Sequence, residues 1–409
     1  MSELKVLQIN TVYKKGSTGK IVAGIETICN ERSIDTYVAY RYFENPDMKQ
    51  NEISVSSWFD CHVHNRLSTY TGLQGFFSYY RTKRFIQELD KIKPDIIHLH
   101  NIHGSFINHK LLFDYIKKHD IKTIWTLHDC WAFTGLCAYF DFYKCEKWKS
   151  GCGNCVYCKN ERFPLVDCTR LLWIEKEKIF SGIRQLLVVT PSNWLAGLVK
   201  ESFLANYTVK VINNGIDLTI FKPCDSSFRK RYNCDNKFII LGVAFDWGRR
   251  KGLDVFIDLS KRIGPDMQIV LVGTDDEIDK QLPNNVITIH RTSNQHELAQ
   301  IYSAADLLVN PTREDNFPTV NIESIACGTP VLTFDTGGSS EMLNESCGCT
   351  VPCDDIEALY ERILYIKANH PYSTEDCVKH AANYDMNTKF KEYVDLYEDS
   401  THFSKRSIQ

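Results

Sequence analysis

Short runs of β-branched and aliphatic residues alternate with stretches of helical periodicity along this chain, and the alternation starts twice. Val6 to Asn10, Tyr37 to Tyr40, Ile96 to His100, Thr123 to Leu127 and Leu187 to Thr190 read as strands buried on both faces. The same grammar restarts at Phe238 to Ala244 and continues through Gln268 to Gly273, Val286 to His290, Leu307 to Asn310 and Pro330 to Phe334. Apolar strands separated by helices allow one class, α/β, because a parallel partner strand is reached only by a crossover long enough to hold a helix. Two starts in 409 residues predict two Rossmann-like doubly wound domains facing each other across a cleft.

The stretch VKVINNGIDLTIFKP carries an Asn-Asn-Gly turn signal and ends in Pro223, which places a hinge linker at 208–222. The first domain is then 1–207, with a cysteine-rich insert at 130–160, and the second is 223–385. A final segment, 386–409, holds an amphipathic helix from Asn387 to Glu398 that can pack on either domain and is assigned back onto the first.

The 48 basic and 51 acidic residues nearly balance, which argues against a nucleic-acid binder. The balance hides an asymmetry: residues 1–205 hold 27 Lys and Arg against 21 Asp and Glu, and the remainder 21 against 30. The first half therefore prefers anionic surroundings. Within it, LSTYTGLQGFFSYYRTKRFIQEL mixes aromatics with Arg81, Lys83 and Arg84. It reads either as a surface for peripheral contact with an anionic membrane or as core aromatics with solvated charges. The start MSELKVLQIN shows no secretory pattern and no 18 apolar residues run together, so the expectation is a soluble, cytoplasmic protein.

Doubly wound sheets bind ligands at the carboxyl ends of their strands, so the strand-ending loops are where chemistry is sought. After the first strand, YKKGSTGKIVAGI places Gly16 and Gly19 where backbone amides and a helix N-terminus can hold a phosphate; a plain tight turn is the other reading. The fourth strand ends in WTLHDCW, which makes His128 the first catalytic candidate, able to hydrogen-bond a hydroxyl or take up a proton near neutral pH. His98, His100 and His103 lack a nearby acidic ligand and are read as structural or acceptor-lining. In the second domain Arg249, Arg250 and Lys251 precede a helix opened by Gly252, a cationic cluster suited to a diphosphate. In VNPTREDNFPTVNIESIACGTP, Glu314, Asp315 and Glu323 offer carboxylates to the hydroxyls of a sugar and a ribose.

Sixteen cysteines in a chain without a secretory lead point to buried thiols or metal ligands. Cys137, Cys145, Cys152 and Cys155, with glycines flanking Cys152, have zinc-knuckle spacing and predict a structural zinc; a loop of reduced thiols and an iron–sulfur cluster are the alternatives.

Taken in order, the glycine loop, His128, TPSNWLAGLV, NNGIDLTIF, the RKG loop and the carboxylate segment resemble the family 4 glycosyltransferases of the GT-B fold over nearly the whole chain. HDCWAFTG and the cysteines after it are similar to the bacterial exopolysaccharide enzymes of the colanic acid type. The resemblance implies a hexosyltransferase that moves a hexose-type sugar from a UDP- or GDP-sugar to a glycan or lipid-linked acceptor, with retention and no metal for catalysis, in bacterial surface polysaccharide synthesis. It implies that Glu323 binds ribose, that Glu314 or Asp315 binds the donor sugar, and that Asn316, Phe317, Pro318 and Thr319 line the donor. Lys251, with Arg249 or Arg250 in place of an arginine the family carries further upstream, would neutralise the diphosphate. His128 matches the histidine beside the transferred sugar. Two other readings stand beside it: a nucleotide-sugar epimerase or hydrolase, and a nucleotide-sugar-binding protein without catalysis, prompted by Asp315 in place of the family's glutamate.

Overall fold

The computed structural model describes residues 4–42, 50–161 and 164–399; the end of the predicted tail, 400–409, lies outside them. Two α/β units emerge, residues up to 212 together with those from 389 onward, and residues 213–388.

In the first unit seven parallel strands run in the order β3-β2-β1-β4-β5-β6-β7. They are β1 (Lys5–Asn10), β2 (Asp35–Tyr40), β3 (Glu52–Ser54), β4 (Ile96–Leu99), β5 (Lys122–Thr126), β6 (Leu186–Thr190) and β7 (Thr208–Val211). The central strands β4 and β6 are buried at every position, which is why they read as continuous apolar runs. The helix Met386–Glu398 packs on this unit: Phe390 lies where a side chain on Gly24 would stand, and the Tyr397 hydroxyl meets His98 Nδ1 at 2.6 Å.

The second unit holds six parallel strands in the order β10-β9-β8-β11-β12-β13. They are β8 (Phe238–Val243), β9 (Met267–Val272), β10 (Val286–Ile289), β11 (Leu307–Asn310), β12 (Val331–Phe334) and β13 (Gly348–Val351).

Ten strands fall on predicted runs, and three do not. β3 is three residues long, β13 reads GCTV, and β7 lies inside the predicted linker. β7 pairs with β6 on one side only and leaves Thr208 exposed, so its apolar signal is weak. The linker expected at 208–222 is corrected accordingly: 208–211 complete the first sheet, while Ile216 and Phe221 join the core of the second unit. Ile216 N donates to Tyr384 O at 2.9 Å and Met386 N to Ile216 O at 2.9 Å, and Gly215 fits there because a Cβ would stand 2.5 Å from Met386 Cα.

Candidate active site

Each unit carries its own cluster of candidate residues at strand carboxyl ends. In the first, β4 and its neighbour β5 deliver His100 to His103 and His128 to Asp129 side by side. A chain of hydrogen bonds sets the tautomers. Gln8 Nε2 donates to Val22 O at 3.1 Å, which turns Gln8 Oε1 toward His100 Nε2 at 3.3 Å. His100 Nε2 is therefore the donor, and its Nδ1 accepts from His128 Nε2 at 3.1 Å. That leaves Nδ1 of His128 as its acceptor nitrogen.

Burial among packed rings holds the His128 pKa down to about 4, against a weaker upward pull from Asp129. Of the two roles expected of His128, this lowered pKa favours hydrogen bonding as a neutral imidazole over proton uptake near neutral pH. His103 is different. Its Nε2 meets Asp129 Oδ2 at 3.0 Å, and the other carboxylate oxygen accepts from Trp131 N at 2.9 Å. Burial pushes Asp129 up, but the His103 ring and these hydrogen bonds outweigh it and leave its pKa lowered.

Gly16 opens the helix Gly16–Glu31 at φ +63°, and Lys14 N donates to Gly19 O at 3.0 Å. Asn10 Nδ2 closes the same loop onto Val12 O at 2.8 Å and Thr18 Oγ1 at 3.3 Å. Gly16 and Gly19 thus belong to the first unit and the other predicted donor residues to the second.

There, Arg249, Arg250 and Lys251 follow β8 and the carboxylate loop follows β11, its neighbour in the sheet. The two loops are laced together. Arg313 N donates to Arg250 O at 2.9 Å, Arg250 Nη1 to Glu314 O at 3.2 Å, and Lys251 Nζ forms an ion pair with the Asp315 carboxylate. Glu314 is buried, so of the two adjacent acids it is Asp315 that engages the lysine. Gly252 makes the close approach: at φ +79°, a Cβ would stand 2.5 Å from Pro311 O.

A third loop braces the Asp315 backbone, whose carbonyl accepts from Gly338 N at 3.1 Å. Asn316 and Phe317 are buried, and Pro318 stands at the start of the helix Thr319–Ala326 without a side-chain acceptor. On that helix, Glu323 accepts from the buried Tyr302 hydroxyl at 3.0 Å.

Two residues that place the site escaped the sequence reading. Arg313 is buried and bonds both oxygens of Asp254 at 2.8 Å and Asp354 at 2.6 Å, fixing the carboxylate loop to the helix Leu253–Arg262. Tyr302 holds Glu323. An arginine inside a charged loop looks solvated in sequence, and its partners are 59 and 41 residues away.

Cys137, Cys145, Cys152 and Cys155 line one cavity of about 20 Å³ in the first unit. Gly135 N donates to Cys152 Sγ at 3.2 Å. Cys155 accepts from the thiols of Cys137 and Cys158 and from the N–H groups of Cys158 and Tyr157, which pull its pKa well below the thiol range. Among the described residues no three His, Cys, Asp or Glu side chains surround a common point as a bound ion needs. The predicted cage is therefore not assembled as the sulfurs stand: Cys137 and Cys158 hydrogen-bond to Cys155 rather than spread with the others about a centre.

Comparison with known proteins agrees with this architecture. A model of "Glycosyltransferase Family 4" matches residues 34–220 and one of "Glycosyl transferases group 1" matches 235–369. The chain is 25% identical over 317 residues to the putative colanic acid biosynthesis glycosyl transferase WcaC of Escherichia coli (strain K12), covering 75% of this chain and 76% of that one. Among solved structures, sucrose-phosphate synthase from Thermosynechococcus elongatus superposes with a TM-score of 0.71 at 18% identity, over 97% of this chain and 98% of the other. HepE of Anabaena in complex with UDP-glucose gives 0.65 at 15%, over 97% and 100%. These likenesses show a fold of the GT-B kind.

Proposed function

The chain belongs to the glycosyltransferases, to family 4 through its amino-terminal half and to group 1 through its carboxy-terminal domain, and from that premise we propose that it transfers a hexose from a UDP- or GDP-sugar to a glycan or lipid-linked acceptor. The observation that carries this reading is the laced pair of loops at the ends of β8 and β11. It sets Lys251 against the Asp315 carboxylate and Arg250 against the Glu314 carbonyl, on a loop that runs into the helix Thr319–Ala326, which has no side-chain cap and carries Glu323. Cations and amides suit a diphosphate, and carboxylates suit ribose and sugar hydroxyls. The similarity to WcaC supports a role in surface polysaccharide synthesis, and the UDP-glucose bound to HepE supports a nucleotide-sugar donor.

In this reading the anomeric C–O bond to the diphosphate breaks, the acceptor oxygen bonds to the same carbon with retention, and the acceptor's proton passes to the leaving diphosphate. Lys251, freed from Asp315 by the donor's charge, and Arg250 stabilise the negative charge that grows there. His128 accepts a sugar hydroxyl at Nδ1 as a neutral imidazole.

Membrane contact belongs to the same proposal. The helix Trp58–Thr71 exposes Trp58, Phe59, Val63, Leu67 and Tyr70 along one side, with Arg66 among them, and Tyr79, Tyr80, Lys83 and Arg84 follow. This is the composition of an interfacial surface on which a lipid-linked acceptor would be met. Among the described residues no helix is long and apolar enough to cross a membrane.

The experiment is a panel of UDP- and GDP-sugars scored by thermal unfolding on the full chain and a Glu323→Ala variant. A donor at a hundred times its Kd is expected to stabilise by about 2.7 kcal/mol, with the effect lost in the variant. No stabilisation by any nucleotide sugar would sink the reading.

A further inference from the structure

His103 and Asp129 form a pair that the proposed transfer does not use. Asp129 follows β5 and is only 9% exposed. Burial pushes its carboxyl up, and the pairings with the His103 ring and the Trp131 N–H outweigh that and leave it lowered, an ionised carboxylate. Such a group only accepts, so His103 Nε2, 3.0 Å from Asp129 Oδ2, is the donor. In the neutral ring the lone pair then sits on Nδ1. Among the described residues no group bonds to that nitrogen, and the His103 side chain is 26% exposed.

The pair is held from several sides. Trp131 is buried, its ring lies 5.1 Å from that of His103, and its N–H fixes the second oxygen of Asp129 at 2.9 Å. Trp131 Nε1 donates to Gln74 Oε1 at 2.7 Å and Gln74 Nε2 to His103 O at 3.4 Å, which ties the histidine's backbone to the same tryptophan. Gly104 brings the loop against Thr11, whose Cγ2 would stand 2.2 Å from a Cβ there. Bracing of this kind sets a ring nitrogen for a partner that arrives from outside. His103, His128 and Asp129 also line one cavity of about 10 Å³, room for one water or one hydroxyl. A histidine with a packing role alone needs no carboxylate buried behind it, since a neutral acceptor costs less to bury.

We propose that His103 binds the acceptor: its Nδ1 accepts a hydrogen bond from a hydroxyl of an acceptor saccharide, other than the hydroxyl that reacts, and Asp129 is the positioning residue that keeps the lone pair there. This rests on the glycosyl transfer proposed above and narrows its acceptor. A sugar hydroxyl has a proton to give to the lone pair. An ionised phosphate oxygen has none, and it would also meet the negative charge of Asp129 behind the ring. The acceptor therefore presents a sugar, and not a lipid phosphate, to the first unit.

The test is nitrogen NMR of the full chain carrying isotope-labelled histidine, in which the two ring-nitrogen shifts report the tautomer; His103→Gln assigns the signal. In the unmodified chain the His103 proton is expected on Nε2. Octyl glycosides of glucose, galactose and mannose are titrated in beside octyl phosphate, and at least one glycoside is expected to shift the Nδ1 signal while octyl phosphate does not. In Asp129→Asn the carboxamide oxygen stays with Trp131 N and its NH₂ faces Nε2. The ring proton then moves to Nδ1, and the Kd for that glycoside rises at least about tenfold. Because the tautomer is also read in the unmodified chain, the outcome does not hang on whether a variant folds. A proton on Nδ1 there, no Nδ1 shift with any glycoside, a shift with octyl phosphate instead, or a Kd indifferent to Asp129→Asn would overturn the proposal. Thermal stabilisation by a nucleotide sugar, measured alongside, separates the two readings: its absence fails the transfer itself, and its presence with an unmoved Nδ1 fails the acceptor site alone.

Discussion

The ammonium of Lys251 sits 20% exposed beside Asp315, tethered by one carboxylate that a diphosphate can displace. Under the proposed transfer, replacing it in Lys251→Met removes a charge that the transition state needs more than the bound donor does. The expected result is a kcat lower by about 10²- to 10³-fold with a smaller change in donor KM. Equal loss in both would assign Lys251 to binding alone. At the same scale the buried histidines set acid stability. Burial lowers His64 and His128 to about 4 and His98 and His109 to about 3, each below its value in an unfolded chain. Below about pH 6.5 the unfolded state therefore binds more protons, so the stability these residues contribute is complete above that pH and is lost as pH falls toward 4. Each contributes at most about 1.4 kcal/mol per pH unit, and a urea midpoint flat between about pH 6.5 and 5 would show that the rings are not enclosed in solution.

Among the elements, the helix Trp58–Thr71 departs from its own amphipathic logic. Its inner side buries Cys61, His64 and Ser68, small or polar groups, while larger apolar side chains face outward. The aromatic and basic segment that suggests either a membrane surface or core aromatics runs from Leu67 to Leu89, and the exposed stripe begins nine residues earlier, at Trp58. Periodicity alone reports that a helix has two faces, and neighbours decide which one is covered. Arg66, Lys83 and Arg84 together are expected to favour anionic over neutral vesicles by about 3 kcal/mol, roughly a hundredfold. Co-sedimentation with phosphatidylglycerol and phosphatidylcholine vesicles, repeated on Phe59→Ser with Leu67→Ser, checks this. Binding that ignores lipid charge, or survives the double substitution, would remove this surface from the proposal.

At the scale of the whole molecule, the chain's last described helix returns to the first unit and buries Phe390, Tyr393, Val394, Leu396 and Tyr397 there. Loss of a buried aromatic costs about 3–5 kcal/mol, so losing several exceeds the 5–15 kcal/mol that holds a domain together. A chain ending at Thr388 is expected to lose the calorimetric transition of the first unit and keep that of residues 213–388, together with its response to a donor. Two surviving transitions would show that the helix is not required.

How much of this was legible beforehand follows from where the information lies. The two sheets, ten of thirteen strands and the loops worth searching are written in local patterns, because a strand buried on both faces must be apolar throughout whatever its neighbours are. Motif order carried the family. Short or one-sided strands such as β3 and β7 left no comparable mark. The neutral state of His128, the choice of Asp315 over Glu314 for the Lys251 ion pair, the clamp of Arg313 on Asp254 and the Tyr302 bond to Glu323 were decided only by the tertiary structure. Desolvation and ion pairing depend on groups that meet in space from positions far apart in the chain, and no local pattern encodes them.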